Sequence, residues 1–481
     1  MSIHILSVLG TTLYEPVLYQ GKKSSMETEF IQMAVINEYK EELKNGGKVT
    51  IFVTDKSREL NYEDRIYTSQ NQAFASRWIS AKRADVIEGT QKKGFKTMIE
   101  EQFPDIAERV ECVKLPDMKT EDEIWEVFDT IYSCIDEQDE LVFDITHSFR
   151  SIPMLAVTVI NYAKVLKKCK LKGVYYGAYE GAQDDGTIKT APIIDLTVFN
   201  EILEWTYAAE SFVNYGNIDK MKEVYNIRND KIPNEEKRYW APIRTMIQNM
   251  ENVSLGISTC RGVDSTKLNS DKNLKARSVK QAYVSLKESI TRQEPDLGKE
   301  ITPMMELINH AAKQFEAFDC EMDYEVGIEM VRWSIRYHMI QQGYTALEET
   351  IKTFICEMYG IDDVLRNNRE GIVSSMFTAC EDSIPDDREI LFERLTKEDK
   401  YFAPTYASLD DDMKEVARKM IMEIPKELFA LAQGVKKYRN DINHLGFNDE
   451  ARTSNVLENK LEEFFEKFEN IVEDMKNLCK C

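Results

Sequence analysis

Long apolar runs are missing from this chain, and no segment approaches the roughly 18–20 residues that are needed to span a bilayer. The first residues have neither a basic lead nor a small-residue cleavage site, which favours a buried strand over a signal peptide. The nine cysteines are scattered and form no C-x-x-C pair, so neither a zinc ribbon nor a disulfide framework is predicted. Reduced thiols in a cytoplasm fit this pattern best.

Positive charge is also in short supply. The chain has 62 Lys and Arg against 84 Asp and Glu, a formal net charge of −22. A protein that binds duplex DNA over a broad surface by counterion release normally carries the opposite excess. The balance argues against duplex DNA, and it leaves room for a nuclease that binds RNA weakly and cuts it on encounter. No G-x-G-x-x-G or P-loop motif is present, so NAD and P-loop nucleotides are poor candidates.

The pattern that is present divides 481 residues into parts, because roughly 150 residues make a domain. Strand and helix patterns alternate over the first 200 residues. We predict strands over 3–9, 49–53, 109–115, 140–145, 171–179 and 188–196, and helices over 28–43, 120–135 and 152–166. Such alternation predicts an α/β domain with a Rossmann-like, mostly parallel sheet covered by helices on both faces.

Helical spacing prevails after about residue 196, so the rest of the chain is expected to be all-α. We predict three parts: the α/β domain over 1–197, a helical linker or insertion over 198–325, and a helical domain over 326–481.

Two polar loops follow the first and fourth predicted strands. Ligands of doubly wound sheets bind beyond the carboxyl ends of the strands, where such loops converge. The first loop is Gly10-Thr11-Thr12, and the second contains Thr146, His147, Ser148, Phe149 and Arg150. Either loop could simply cap a helix, although a cap requires neither histidine nor arginine. We predict that these eight residues form a ligand site.

A second polar motif, Arg439-Asn440 with His444, lies at the predicted end of a helix. Arginine stabilises developing charge on phosphorus, and histidine exchanges protons near neutral pH. We expect Arg439 and His444 to be catalytic and Asn440 to orient a phosphate or the turn. Arg332 and His338 have a similar spacing, but they lie in a long amphipathic helix and are better explained as structural. No metal-ligand cluster is expected.

These residues also carry a family resemblance. The segments 10–12, 143–153 and 175–180 resemble the CARF domain of type III CRISPR-associated ribonucleases, and 439–444 looks like the R-x4-6-H signature of HEPN ribonuclease domains. The segments 195–217 and 341–349 are also similar to this CARF–HEPN family. The resemblance implies a CARF sensor over 1–197 and a HEPN-like ribonuclease domain over 326–481.

The resemblance implies an antiviral function. A cyclic oligoadenylate, with cyclic tetra-adenylate favoured over cyclic hexa-adenylate, would bind across the CARF domains of a homodimer or higher homo-oligomer. The activated protein would cut single-stranded RNA without metal or cofactor, by 2′-hydroxyl attack that leaves 2′,3′-cyclic phosphate and 5′-hydroxyl ends.

Two other functions stay open at this point. One is a nucleotide-sensing regulatory protein without nuclease activity, although the chain has no basic recognition helix for DNA. The other is a sensor domain that also degrades its ring ligand, with Thr11, Thr12 or His147 aligning a ribose hydroxyl.

Overall fold

A computed structural model describes residues 2–12, 14, 16–66, 91–147, 151–179, 182–184, 188–263, 278–292, 301–380, 384–447, 449 and 451–478. The chain forms two compact units, unit 1 (Met1–Leu203) and unit 2 (Glu204–Cys481). A further division of the helical part near residue 325 stays a prediction.

The strands of unit 1 form one large sheet and a small two-stranded one. The described strands are β1 (Ile3–Val8), β2 (Val17–Gln20), β3 (Ser25–Thr28), β4 (Lys48–Val53), β5 (Arg65–Ile66), β6 (Gln91–Lys92), β7 (Val110–Lys114), β8 (Glu140–Asp144), β9 (Lys170–Gly177), β10 (Gln183–Asp184) and β11 (Lys189–Asp195). The large sheet has the order β3-β2-β11-β9-β8-β1-β4-β7, with β10 paired to β11. The small sheet pairs β5 with β6.

Five neighbouring strands, β9, β8, β1, β4 and β7, run parallel in the middle and at one edge of the large sheet. Their apolar residues point to both faces: Ile5 packs into the core on one side of β1 and Leu6 into the core on the other. Helices cover both cores, as a parallel sheet requires. The predicted α/β fold with a mostly parallel sheet is therefore confirmed.

The other edge of the sheet differs from the sequence prediction. β11 runs antiparallel to β9, and a hairpin of β2 and β3 that we did not predict extends the sheet beyond it. In β2, which lies between β3 and β11, Val17 and Tyr19 are buried while Gln20 is exposed, the alternation expected of a strand with one buried face. Because β3 takes up residues to Thr28, the helix predicted over 28–43 begins later and breaks at Tyr39.

The helices of unit 1 cover the two faces of the sheet. They are α1 (Ile31–Glu38), α2 (Lys40–Lys44), α3 (Asp55–Ser57) continued by a π-helical turn (Arg58–Tyr62), α4 (Phe95–Gln102), α5 (Pro104–Ala107), α6 (Glu121–Cys134) and α7 (Ile152–Leu166). Helix α8 (Thr197–Tyr215) begins in unit 1 and ends in unit 2.

Unit 2 contains no strand among its described residues. Its helices are α9 (Asp219–Asn229), α10 (Lys237–Ser258), α11 (Val279–Thr291), α12 (Thr302–Ala312), α13 (Asp323–Arg336), α14 (Ile340–Met358), α15 (Ser375–Ala379), α16 (Arg388–Glu393), α17 (Phe402–Ser408), α18 (Asp411–Glu423), α19 (Lys426–Asn443) and α20 (Ser454–Leu478). Shorter turns of 3₁₀ or π type cover Lys313–Phe318, Asn367–Ser374 and Arg394–Glu398. None of the described helices combines the length and apolar character of a membrane span.

Helices α14, α19 and α20 pack together through aromatic side chains. The rings of Tyr344 and Tyr438 stack with centroids 6.0 Å apart, and Phe464 meets Tyr438 edge-on at 5.3 Å. The Tyr344 hydroxyl donates a hydrogen bond to the Leu457 carbonyl at 2.8 Å. These contacts hold the C-terminal part of α19, which carries the Arg439–His444 motif, against two other helices.

Candidate functional site

The two loops predicted to bind a ligand meet at the carboxyl edge of the large sheet. Strands β1 and β8 are parallel neighbours, so their following loops leave the sheet side by side. A Cβ atom on Gly10 would lie 2.8 Å from the His147 carbonyl oxygen and 2.9 Å from the Tyr14 hydroxyl. Only glycine fits this close approach, which explains the residue type at position 10.

The second loop is anchored by a buried carboxyl group. Asp144 accepts hydrogen bonds from the Ser7 hydroxyl at 2.6 Å, the Thr146 hydroxyl at 2.5 Å and the Thr146 amide at 3.0 Å. The Thr146 hydroxyl in turn accepts from the Gly177 amide at 2.9 Å. Burial raises the pKa of Asp144, while these hydrogen bonds oppose the rise. Thr146, predicted as a ligand contact, thus uses its hydroxyl to tie the loop to β9.

The first loop is held by Asn61, which sequence reasoning missed. Its side-chain amide donates to the carbonyl oxygens of Gly10 at 2.8 Å and Thr12 at 2.7 Å. Arg65 donates to the Asn61 amide oxygen at 3.2 Å. With its backbone held in this way, the loop leaves the Thr12 side chain exposed and that of Thr11 half-buried.

His147 is half-buried and stacks on Tyr14, with ring centroids 3.9 Å apart. Its Nε2 atom is buried and has no hydrogen-bond partner among the described residues. Burial lowers the pKa of His147 to about 3, so the ring is neutral at pH 7. His147 can therefore offer an aromatic face or a neutral nitrogen to a ligand, but not a positive charge. Ser148, Phe149 and Arg150 lie outside the described residues.

The Arg439–His444 motif occupies the last turn of α19. His444 is the C-cap residue, and its backbone amide donates to the Asn440 carbonyl at 3.1 Å. The side chains of Lys437, Asn440 and His444 are all exposed. Residues three, four and seven positions apart share a helix face, so these three form one polar stripe along α19.

The Arg439 side chain points away from this stripe, toward a buried residue of α14. Its Nη1 atom lies 2.8 Å from Oε2 of Glu348, a buried carboxylate on α14. Glu348 is also 3.5 Å from the buried Lys352 ammonium, which further pairs with Glu349 and Glu370 at 3.0 Å each. Glu348 lies in the 341–349 segment, but sequence reasoning assigned it no role. The structure therefore places Arg439 on a buried ion-pair network, next to the exposed stripe.

Asp441 anchors the end of the motif to the following segment. The buried Asp441 carboxylate accepts from the amide and the guanidinium of Arg452, at 3.1 and 3.0 Å. The Arg452 guanidinium also lies over the Tyr438 ring, 4.2 Å from its centroid. These contacts tie the last turn of α19 to Arg452 in the following segment.

Both residues of the alternative pair, Arg332 and His338, contact carboxylate side chains. Arg332 contacts Glu329 at 2.5 Å and also Glu469, and His338 Nδ1 lies 2.5 Å from Glu458. Arg439 has a carboxylate partner as well, so these contacts alone do not separate the two pairs. His338 lies in the turn after α13, at a φ of 54°, and not within a long helix as the sequence pattern predicted.

Three carboxylates of unit 2, Asp323, Glu357 and Asp363, have oxygens within 4.8 Å of one another. Glu357 accepts from the amides of Asp323 and Tyr324 at 3.0 Å, at the start of α13. Asp323 also pairs with Lys280 at 2.5 Å. Two of the three carboxylates therefore have protein partners that account for their positions.

The fold and the loop geometry together define a Rossmann-like domain with two polar loops at the carboxyl edge of its sheet, joined to a helical unit. Comparison with known proteins agrees: residues 4–180 match the family model described as "CRISPR system endoribonuclease Csx1, CARF domain". The chain is also 28% identical over 257 residues to CRISPR-associated protein MJ1674 of Methanocaldococcus jannaschii. That alignment covers 52% of this chain and 35% of the relative, so the chain spans about a third of the relative's length. Residues 4–180 are thus similar to the CARF domain of Csx1-type CRISPR proteins, and the similarity to MJ1674 supports a CARF-containing CRISPR family.

Proposed function

We propose that this protein is a ribonuclease of type III CRISPR defence that a cyclic oligoadenylate switches on. The ring binds at the CARF edge formed by the loops after β1 and β8, and unit 2 cuts single-stranded RNA. One observation carries the assignment of the cutting site. Arg439, held by the buried Glu348, lies in the same last turns of α19 as the exposed Asn440 and His444.

The residues match the requirements of 2′-hydroxyl attack on phosphorus. The attacking 2′-oxygen loses a proton, a bond from it to phosphorus forms, and the bond from phosphorus to the 5′-oxygen breaks. His444 transfers a proton in this reaction, since its imidazole is exposed and histidine is the side chain most often used in general acid–base catalysis. Arg439 stabilises the charge on the phosphorane, and Asn440 orients a phosphate oxygen. The products are a 2′,3′-cyclic phosphate and a 5′-hydroxyl, and no metal takes part.

The motif has a single histidine, which is few for a reaction that needs both a base and an acid. A two-fold dimer brings two copies of His444 and two of Arg439 to one cleft, which supplies both groups. Glu348 is then a positioning residue, since it orients the Arg439 guanidinium without contacting RNA.

The activator site uses the groups that the loops leave available. Thr11, Thr12 and the Tyr14–His147 stack face the ligand, while Gly10 lets the two loops approach each other closely. Thr146 holds the loop, and Ser148, Phe149 and Arg150 supply further contacts. Cyclic tetra-adenylate is the favoured ring, and the reaction takes place in the cytoplasm.

The test is cleavage of labelled single-stranded RNA with no activator, with cyclic tetra-adenylate and with cyclic hexa-adenylate. We expect cleavage with a ring only, products that end in 2′,3′-cyclic phosphate, and full activity in EDTA. Absence of cleavage with either ring, or its loss in EDTA, would contradict the proposal.

A further inference from the structure

A turn of unusual conformation follows His444. Leu445 and Gly446 both have positive φ angles, 53° and 73°, and the Phe447 amide donates to the His444 carbonyl at 2.9 Å. Glycine adopts positive φ freely, and it is the usual residue directly after a helix C-cap. Here a leucine occupies that position, which costs stability.

The side chains of this turn face solvent. Leu445 is 79% exposed and Phe447 is 87% exposed, and the Phe447 ring makes no ring contact with any described residue. Burial therefore does not explain two large apolar side chains on a strained turn. Backbone strain of this kind is often found where a residue is needed for binding.

The polar stripe on α19 indicates what binds here. Lys437, Asn440 and His444 lie along one exposed face that leads to the turn. A cation, an amide and an imidazole suit a phosphate backbone, and exposed aromatic rings next to such a track are stacking platforms for unpaired bases. We propose that Phe447 stacks on a base of the RNA strand next to the scissile phosphate, with Leu445 packing against the same nucleotide. This inference rests on the proposed ribonuclease function.

Substitutions at position 447 test for an aromatic face. Phe447→Leu keeps an apolar side chain but removes the ring, and we expect kcat/KM for RNA cleavage to fall about tenfold, whereas Phe447→Trp keeps wild-type activity. Tyr401→Leu, at a 51% exposed aromatic residue of unit 2, is the matched control and should leave cleavage unchanged. Wild-type cleavage by Phe447→Leu overturns the inference. A changed sedimentation coefficient of this variant also overturns it, and indicates that the side chain at position 447 packs against a second copy of the chain.

An abasic substrate tests the contact directly. The substrate is an RNA with a single cleavable ribonucleotide, flanked by normal or by abasic residues. The abasic residues should slow the wild type about as much as Phe447→Leu does, and they should have little further effect on that variant. Additive losses would mean that the ring and the base do not meet.

Leu445 provides a test with two opposite readouts. Asparagine tolerates positive φ, so Leu445→Asn should raise the Tm on the order of 1–2 °C while it lowers cleavage severalfold. A variant that is more stable and equally active overturns the role of Leu445. If the wild type fails to cleave with either ring, the proposed ribonuclease function itself fails; if it cleaves and Phe447→Leu matches it, only this inference fails.

Discussion

The two candidate sites are built in opposite ways. At the CARF edge, the polar side chains form hydrogen bonds with other groups of the protein, as seen for Asp144, Thr146 and Asn61. His147 is half-buried against Tyr14. At the end of α19, the side chains of Asn440 and His444 point into solvent. The first arrangement ties both loops to the rest of the domain through hydrogen bonds. The second leaves polar side chains exposed at the end of a helix.

This difference predicts that mutations at the two sites affect activity and stability in different ways. Loss of an exposed group on α19 should remove activity and leave stability unchanged, because no buried contact is lost. Loss of a buried group at the CARF edge should lower stability as well, because its hydrogen-bond partners are left unsatisfied.

The largest effect is expected for His444→Ala. This variant should lose cleavage by about 10²–10⁴-fold, since the imidazole is the group that transfers a proton. Its Tm and its affinity for cyclic tetra-adenylate should equal those of the wild type. His338→Ala is the control and should keep wild-type cleavage. If His338→Ala abolishes cleavage while His444→Ala retains it, the wrong arginine–histidine pair has been chosen.

Arg439→Ala should lower kcat by about 10²–10³-fold, because the charge on the phosphorane loses its cation. Unlike His444→Ala, it should also lower stability, since Glu348 loses one of its two cationic partners. Cleavage assays and thermal melts of the same preparations measure both effects. Unchanged cleavage by Arg439→Ala would remove this residue from the site.

Asp144→Ala is the corresponding test at the CARF edge. It leaves the Ser7 hydroxyl and the two Thr146 donors without an acceptor, which should lower the free energy of unfolding by about 2–3 kcal/mol. Binding of cyclic tetra-adenylate should weaken as well. Asp129→Ala, at an exposed position on α6, should change stability by less than about 0.5 kcal/mol. Equal urea midpoints for the two variants would show that the Asp144 network is dispensable.

The smallest effect concerns pH. Because burial lowers the pKa of His147 to about 3, the unfolded chain binds a proton below about pH 6.5 that the folded one does not. The stability that His147 contributes is therefore fully present above pH 6.5 and declines as the pH falls toward 3. Between pH 7.5 and 5.5 we expect a loss of about 1 kcal/mol, part of which His147→Gln should remove. His310→Gln, at an exposed position of unit 2, should keep the wild-type difference; an identical slope in His147→Gln would argue against a buried neutral ring.

Much of the fold could be predicted because its signals are local. Mostly apolar runs marked β1, β4 and β8, since strands buried on both faces are rich in apolar residues. The sequence pattern did not predict the hairpin of β2 and β3, because two four-residue strands joined by a polar turn resemble the start of a helix. The candidate loops were found for the same local reason: polar residues stand directly after buried strands.

What the sequence by itself determined is which segments are strands and helices and where polar chemistry follows them. Tertiary structure alone decided which groups remain available. Asn61 reaches across 51 residues to hold Gly10, and Thr146 reaches across 31 to bind Gly177. The Arg439 side chain points toward Glu348, with which it forms an ion pair. The side chains of Asn440 and His444 face solvent instead. The physical reason is that hydrogen bonds and ion pairs depend on distance in space, whereas sequence patterns record only distance along the chain.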